Sequence, residues 1–215
     1  MYCSYSSVPP NQKYRSYHIE ANPILFASNL FHHSGLGRSL KQISLRHTPL
    51  NTILEDIARY RASYIDVLIQ DNLIGSRFKS EDSILRKYQK TLRTNGGFKQ
   101  CFNDVLGFRL HFSKYPEEFP PYFRVVDLRK GKMIDDGYRA IHLYYQRDSF
   151  SYPIEVQLWC GDDYTFNLWS HKYIYKYKSP KLGQSLYQEF SQGIIQSESD
   201  FLMRLHEQEA NYHGE

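Results

Sequence analysis

The residues best suited to chemistry lie in one run, Gly75-Ser76-Arg77-Phe78-Lys79-Ser80-Glu81-Asp82-Ser83-Ile84-Leu85-Arg86-Lys87. It reads as a loop delivering charge to the start of a helix. Ser80 is placed to be the N-cap, with Glu81 and Asp82 in the first turn, where the macrodipole favours acids. Ser83 lies about one turn in, and Lys87, four residues on, shares its face. Arg77 and Lys79 sit just before the cap, so two cations, a hydroxyl, free backbone N–H groups and a third cation can converge. Such a helix start suits polyphosphate. The same residues also describe an ordinary capped surface helix with solvated cations.

A second group is acidic. Asp104 opens the apolar segment Val105-Leu106-Gly107-Phe108-Arg109, and Glu155 lies in Ile154-Glu155-Val156-Gln157-Leu158, which alternates strictly. Alternation puts Glu155 and Gln157 on one face and the three aliphatic residues on the other. Acids inside apolar strands cost free energy unless paired or metal-bound. Two of them on two strands can hold Mg²⁺ between them, with substrate phosphates filling the remaining positions. Alternatively, each pairs with a neighbouring Arg or Lys. A third group is Gly137-Tyr138-Arg139-Ala140-Ile141-His142, where Tyr138 and His142 share a face. An aromatic at a strand start beside a glycine can stack on a base, or simply complete the core or its rim.

The elements that must position these groups follow from periodicity. Pro49 starts a helix in which Leu50, Ile53, Leu54, Ile57 and Ala58 recur at helical spacing, continuing through Tyr64, Val67 and Leu68. Asn72 to Gly75 breaks it, and a second helix runs from Ser80 to about Leu92, stopped by Asn95-Gly96-Gly97. Four strands are expected over Val105–Ser113, Phe123–Leu128, Tyr138–Gln146 and Tyr152–Trp159, separated by Pro-, Gly- and Asp-rich turns. Helix follows from Tyr164 to about Tyr177, and the acidic end from Leu186 to Ala210 reads as one or two more. Helices, then strands, then helices predict an α+β domain with a mixed or largely antiparallel β-sheet flanked by helices. The expected division is an N-terminal arm (1–48), a central domain (49–181) and an acidic helical tail (182–215).

With 215 residues, 41 % hydrophobic and 16 % aromatic, the chain is long enough for a real core and is not a disordered one. Net charge is only +4, but from Leu186 onward there are six acids and one arginine. That acidic end leaves a body of +9, a pattern suited to an anionic ligand or partner. Cys3, Cys101 and Cys160 lack disulfide or metal spacing and read as reduced thiols. No signal peptide is visible, and no apolar run approaches the about 20 residues of a membrane span. The expectation is a cytoplasmic protein without membrane contact. His32-His33 has no acidic or cysteine partner at fixed spacing and does not read as a metal site. Arg38, Lys41, Arg46 and His47 form either a solvated face or part of an anion-binding surface.

Taken together and in order, these pieces resemble the synthetase domain of the RelA/SpoT family, the small alarmone synthetases in particular. The resemblance runs from about Thr52 to Lys178 and is carried by Arg77-x-Lys79-x-x-x-Ser83-x-x-x-Lys87, Asp104-x-x-Gly107-x-Arg109, Gly137-Tyr138-Arg139-x-x-His142 and Glu155-x-Gln157. It implies a nucleotidyltransferase-like fold and a pyrophosphokinase that moves the β,γ-pyrophosphate of ATP to a 3′-hydroxyl. It also implies roles by position. Arg77 and Arg109 would sandwich the adenine of ATP, while Lys79, Ser83 and Lys87 hold its phosphates. Asp104 would bind Mg²⁺, and Glu155 would bind Mg²⁺ or deprotonate the attacking hydroxyl. Tyr138 would stack on the acceptor base, with Arg139, His142 and Gln157 lining the acceptor side.

Two departures bear on the acceptor. Family members that make (p)ppGpp usually follow Glu-x-Gln with Arg-Thr, where this chain has Trp159-Cys160, and they carry Glu-His on the next helix. The helix here, Phe166-Asn167-Leu168-Trp169-Ser170-His171-Lys172, has no acid near that place to meet the donor edge of guanine. After it come Lys172, Lys176 and Lys178 interleaved with tyrosines, suited to nucleic acid or simply to a solvated helix face. The toxic subgroup of small alarmone synthetases shares this chain's size and these departures. Membership would imply pyrophosphate transfer to the 3′ CCA end of tRNA, translation inhibition, and a protein antitoxin as partner. The alternatives are a synthetase making (p)ppGpp or (pp)pApp from GDP, GTP or adenine nucleotides, and an inactive binding module.

Overall fold

The computed structural model describes residues 31–70, 77–174 and 180–212. In chain order the elements are α1 (Leu50–Gln70), β1 (Arg77–Phe78), α2 (Glu81–Arg93), α3 (Phe98–Cys101), β2 (Leu106–Phe112), β3 (Arg124–Asp127), β4 (Ile141–Tyr145), β5 (Ile154–Cys160), α4 (Gly161–Tyr173), α5 (Pro180–Ser191) and α6 (Glu198–Tyr212). Among the described residues the five strands form one mixed sheet in the order β1-β2-β5-β4-β3. Within it β2 and β5 run parallel, and the other neighbours are antiparallel. This is the expected α+β architecture.

Strand alternation sorts the sheet into two faces. Leu106, Phe108 and Leu110 of β2, Ile141 and Leu143 of β4, and Ile154, Val156 and Leu158 of β5 are buried in one core cluster. Ile53, Ile57 and Tyr60 of α1, Ile84 of α2, and Phe98, Cys101 and Phe102 at α3 join them. The opposite face carries Gly107, Arg109 and His111, then Glu155, Gln157 and Trp159, then Tyr144 and His142, in matched register. A second apolar cluster, Phe166, Ile174, Leu182, Leu186, Ile195, Phe201 and Leu205, joins α4, α5 and α6.

Several expectations are corrected. Ala58, expected in the core, is exposed, because Asp56 and Ile57 occupy the inward side of α1. Asp56 is buried yet satisfied: it accepts from Ser34 Oγ at 2.7 Å, Gly35 N at 2.8 Å and Tyr152 Oη at 2.9 Å. Those bonds, with Leu40, Ile43 and Leu45 in the main core, make residues 31–48 part of the central unit rather than a separate arm. Ser80 has the extended backbone of an N-cap but makes no side-chain cap bond; its hydroxyl donates to Ser83 Oγ at 2.9 Å. The strand expected from Tyr138 begins only at Ile141, since Gly137 sits at φ +80° in a turn. Helix α4 starts at Gly161 rather than Tyr164. The acidic end is two helices packed on α4, and its Glu198 pairs with Lys172 at 3.0 Å. Among the described residues no helix is long and apolar enough to cross a membrane.

Candidate active site

Both acids lie at one end of the sheet, Asp104 just before β2 and Glu155 as the second residue of its parallel neighbour β5. The two carboxylates have different company. Asp104 is ion-paired with Lys79 and with Lys87, the latter at 2.8 Å. Lys87 also donates to Asn103 Oδ1 at 2.5 Å. Lys79 is held in place by its own backbone, which donates to Val105 O at 2.8 Å and so extends the β1–β2 pairing. Lys87 reaches in from α2, one turn beyond Ser83. Lys79 and Lys87 therefore converge on Asp104, the pairing with neighbouring cations that the sequence left open as the alternative to a metal.

Glu155 is almost fully buried and is met by donors from its own sheet rather than by a lysine or arginine. Tyr144 Oη donates to Oε1 at 2.8 Å, Gln157 Nε2 donates to Oε2 at 2.9 Å, and His142 Nδ1 lies 3.2 Å from Oε1. Burial alone would raise its pKa. The hydrogen bond and coulombic attraction of His142, with hydrogen bonds from Tyr144 and Gln157, outweigh burial and hold the carboxyl down at about 2. Gly107 faces it across the ladder, and Glu155 Oε2 lies 3.7 Å from where a Cβ there would stand.

A chain of polar contacts continues from His142. Tyr138 Oη lies 2.8 Å from His142 Nε2 and accepts from Trp159 Nε1 at 2.9 Å. One proton arrangement satisfies every member: indole N–H to the tyrosine oxygen, tyrosine O–H to Nε2, and Nδ1–H to Glu155. Trp159 is fully buried, and Arg109 stacks on it with Cζ 3.7 Å from the ring centroid. Burial lowers the pKa of Arg109, and the nearby Arg77 lowers it further; its Nε is buried without a hydrogen-bond partner. The two arginines are therefore near enough to repel, on neighbouring strands β1 and β2. A cavity of about 420 Å³ opens next to Arg109, walled by Leu168, Trp169 and Lys172 of α4.

Lys79, Lys87 and Asp104 thus gather on the β1–α2 side with Arg77 and Arg109 nearby, Tyr138, His142, Gln157 and Glu155 gather on the β4–β5 side, and the Ser83 hydroxyl is taken up by Ser80 and Arg86. Arg139 does not join them. It is buried, paired bidentately with Asp135 at 2.7 and 2.8 Å, and lies over Tyr187 with Cζ 4.1 Å from the ring. Its backbone is locked to Asn167 of α4, whose Nδ2 donates to Arg139 O at 2.6 Å. A Cβ on Gly137 would come within 2.3 Å of Gly183 O, so only glycine lets the turn meet α5 this closely. Arg139 therefore anchors the Tyr138 turn to the helical end. Lys172 is exposed but paired with Glu198; Lys176 and Lys178 lie outside the described residues.

Three residues not singled out as site residues matter here: Tyr144, Trp159 and Asn103. The first two could have been found, since Tyr144 is two residues from His142 and Trp159 two from Gln157, the same-face interval of a strand. Asn103 had no such signal.

For Mg²⁺ the donor set fits as a partial site. Among the described residues no group of three or more His, Cys, Asp or Glu gathers. Two carboxylates on adjacent strands are what a Mg²⁺ bound largely through substrate phosphates and water needs. The lysines now on Asp104 are the groups that phosphates would draw away.

No family model matches the sequence, and no curated protein matches it. Among solved structures the chain is similar to the small alarmone synthetase 1 from Bacillus subtilis, with 19 % identity over 77 % of this chain and 92 % of that one, and a TM-score of 0.35. It is likewise similar to the same protein bound to its product pppGpp, with 18 % identity over 78 % and 94 % of the two chains and a TM-score of 0.34. Both are proteins of the kind that the four motifs resemble.

Proposed function

We propose that this protein is an ATP-dependent pyrophosphokinase whose acceptor is a 3′-hydroxyl, that of the tRNA 3′ CCA end. One observation carries the reading: a lysine-bound carboxylate and a carboxylate held by a tyrosine, a glutamine and a histidine lie at the same end of the sheet, at the starts of two neighbouring parallel strands. Arg77 and Arg109 flank the adenine, with Trp159 backing Arg109. Lys79, Lys87 and the hydroxyl of Ser83 bind the triphosphate. Tyr138 stacks on the acceptor base, and His142 and Gln157 hold it against Glu155. In the reaction the acceptor 3′ oxygen forms a bond to the β-phosphorus, the bond from that phosphorus to the α,β-bridging oxygen breaks, and AMP leaves with the electron pair. The lysines gather the negative charge that builds on the transferred group, which is most of what such a transfer asks of a protein. Asp104 and Glu155 would hold Mg²⁺, which would supply further neutralisation of phosphate charge.

The acceptor hydroxyl directs its hydrogen bond to Glu155, and its proton passes to solvent water as the bond to phosphorus forms. A carboxyl held at about 2 is a weak base at neutral pH. Glu155 therefore acts mainly by orienting the hydroxyl and accepting its hydrogen bond. The RNA acceptor is favoured by Trp159 standing where an Arg would be, and by the absence of an acid from the Phe166–Lys172 stretch of α4, where one would meet guanine. A tRNA capped in this way cannot be aminoacylated, so the product blocks translation, and a protein antitoxin would be the expected partner. The test is transfer of label from [γ-³²P]ATP with Mg²⁺ to deacylated tRNA, GDP, GTP, AMP or ADP in separate reactions. Label on tRNA that disappears when its 3′ end is oxidised supports the reading. Label on free nucleotides alone makes the protein an alarmone synthetase.

A further inference from the structure

The sequence places its most conspicuous basic run at Lys172 to Lys178, yet Lys172 is committed to Glu198. A different basic surface has no such partner. At the end of the sheet that carries Asp104 and Glu155, a cavity of about 650 Å³ is lined by Lys99, Asn103, Tyr122, Arg124, Tyr144 and Tyr145, among others. Lys99 projects from α3, Arg124 opens β3, and Lys41 from the N-terminal segment lies close enough to act on Lys99. Burial and the like charges of Lys41 and Arg124 all lower the Lys99 pKa, as expected of cations gathered without a counter-charge. Among the described residues none of the three has an ion-pair partner.

Aromatic rings interleave with these cations. Tyr122 is half exposed and packs edge-on against Tyr145, with centroids 5.6 Å apart. Arg124 lies over Tyr144, Cζ 4.5 Å from the ring. The groove is also continuous with the active site: the Tyr144 hydroxyl donates to Glu155, and Asn103 accepts from Lys87 beside Asp104. Unpaired cations with stacking rings suit a phosphodiester backbone and splayed bases. A mononucleotide acceptor has no use for a second such surface beyond the site itself.

We propose that this groove binds single-stranded RNA, seating the nucleotides 5′ of the ribose whose 3′-hydroxyl is presented to Glu155. The proposal rests on the RNA-acceptor reading above and names where that RNA runs. Lys99 and Arg124 hold internucleotide phosphates, Lys41 adds long-range attraction, and Tyr122 stacks on a base.

The test uses the full chain and a 5′-fluorescein oligoribonucleotide ending in CCA, followed by anisotropy over a salt series, with ATP binding and label transfer measured on the same proteins. Lys99→Glu with Arg124→Glu should weaken RNA binding at least tenfold and lower the salt slope by about 1.4, roughly 0.7 for each single-strand phosphate no longer neutralised. ATP affinity should stay within twofold. Lys114→Glu, beyond the far end of β2, should change RNA binding less than twofold. The neutral pair Lys99→Ala and Arg124→Ala should show a smaller loss in the same direction, which separates removal of the attraction from introduced repulsion. RNA affinity and salt slope unchanged in the reversal variant overturn the groove, even if wild type labels tRNA. Groove-dependent RNA binding by a wild type that labels only free nucleotides supports the groove and defeats the acceptor reading. A wild type that neither binds nor labels RNA overturns both.

Discussion

Asp104 and Glu155 begin adjacent parallel strands, yet the protein neutralises them in opposite ways. Asp104 is met by two full cations, Lys79 just after β1 and Lys87 on α2. Glu155 is met by a tyrosine, a glutamine and a histidine from its own sheet. The cations are groups that a triphosphate would compete for, so the Asp104 side is built to exchange partners when ligand arrives. The Glu155 side is built to stay as it is, because hydrogen bonds across a β-ladder shift little. One end of the sheet thus pairs an exchangeable carboxylate with a preorganised one.

The sharpest way to break that comparison is Glu155→Gln, which keeps the shape but removes the anion. Transfer should fall by on the order of 10³-fold with the fold intact by circular dichroism. Wild-type rates in that variant would remove Glu155 from the site. Asp104→Asn should cost less, about 10²-fold, with a higher Mg²⁺ requirement in a metal titration of the rate. It should also destabilise the apoprotein by about 2 kcal/mol in urea unfolding, since it leaves two lysines without their anion. No parallel stability loss is expected when ATP is bound, because phosphates replace the carboxylate.

Tyr144→Phe removes one donor from Glu155 and should slow transfer by about tenfold. It also has a pH signature. A carboxyl held at about 2 against an ordinary 4.5 stabilises the fold fully above pH 4.5 and loses that contribution as pH falls through 2. Losing the Tyr144 bond raises the folded-state pKa, so the acid-unfolding midpoint should move to higher pH. An unmoved midpoint would show that His142 and Gln157 suffice. Smaller again is Trp159→Phe, which keeps a ring under Arg109 but loses the N–H to Tyr138. We expect a several-fold rise in acceptor KM with ATP binding nearly unchanged. Equal effects on both substrates would mean that Trp159 acts only through packing.

Much of this site was legible in the chain. The four-residue interval from Ser83 to Lys87 and the two-residue intervals along β2, β4 and β5 are local periodicities, so they predict shared faces without knowledge of the fold. Arg139 shows where that logic stops. Its adjacency to Tyr138 suggests a common task, but the turn at Gly137 and the bidentate bond to Asp135 direct it to α4 and α5. Lys172 is a similar case, since its partner lies 26 residues away on α6.

The sequence by itself determined the helices, the strand faces, and the residues available to bind phosphate and metal, because these follow from side-chain type and short-range spacing. Only the tertiary structure decided how charge is distributed among them. That β2 and β5 run side by side and parallel, that Asp104 holds both lysines, that Trp159 supports Arg109, and that Lys41, Lys99 and Arg124 share one groove are pairings between distant segments. Electrostatic roles depend on distance and burial, and neither is defined until the chain has packed.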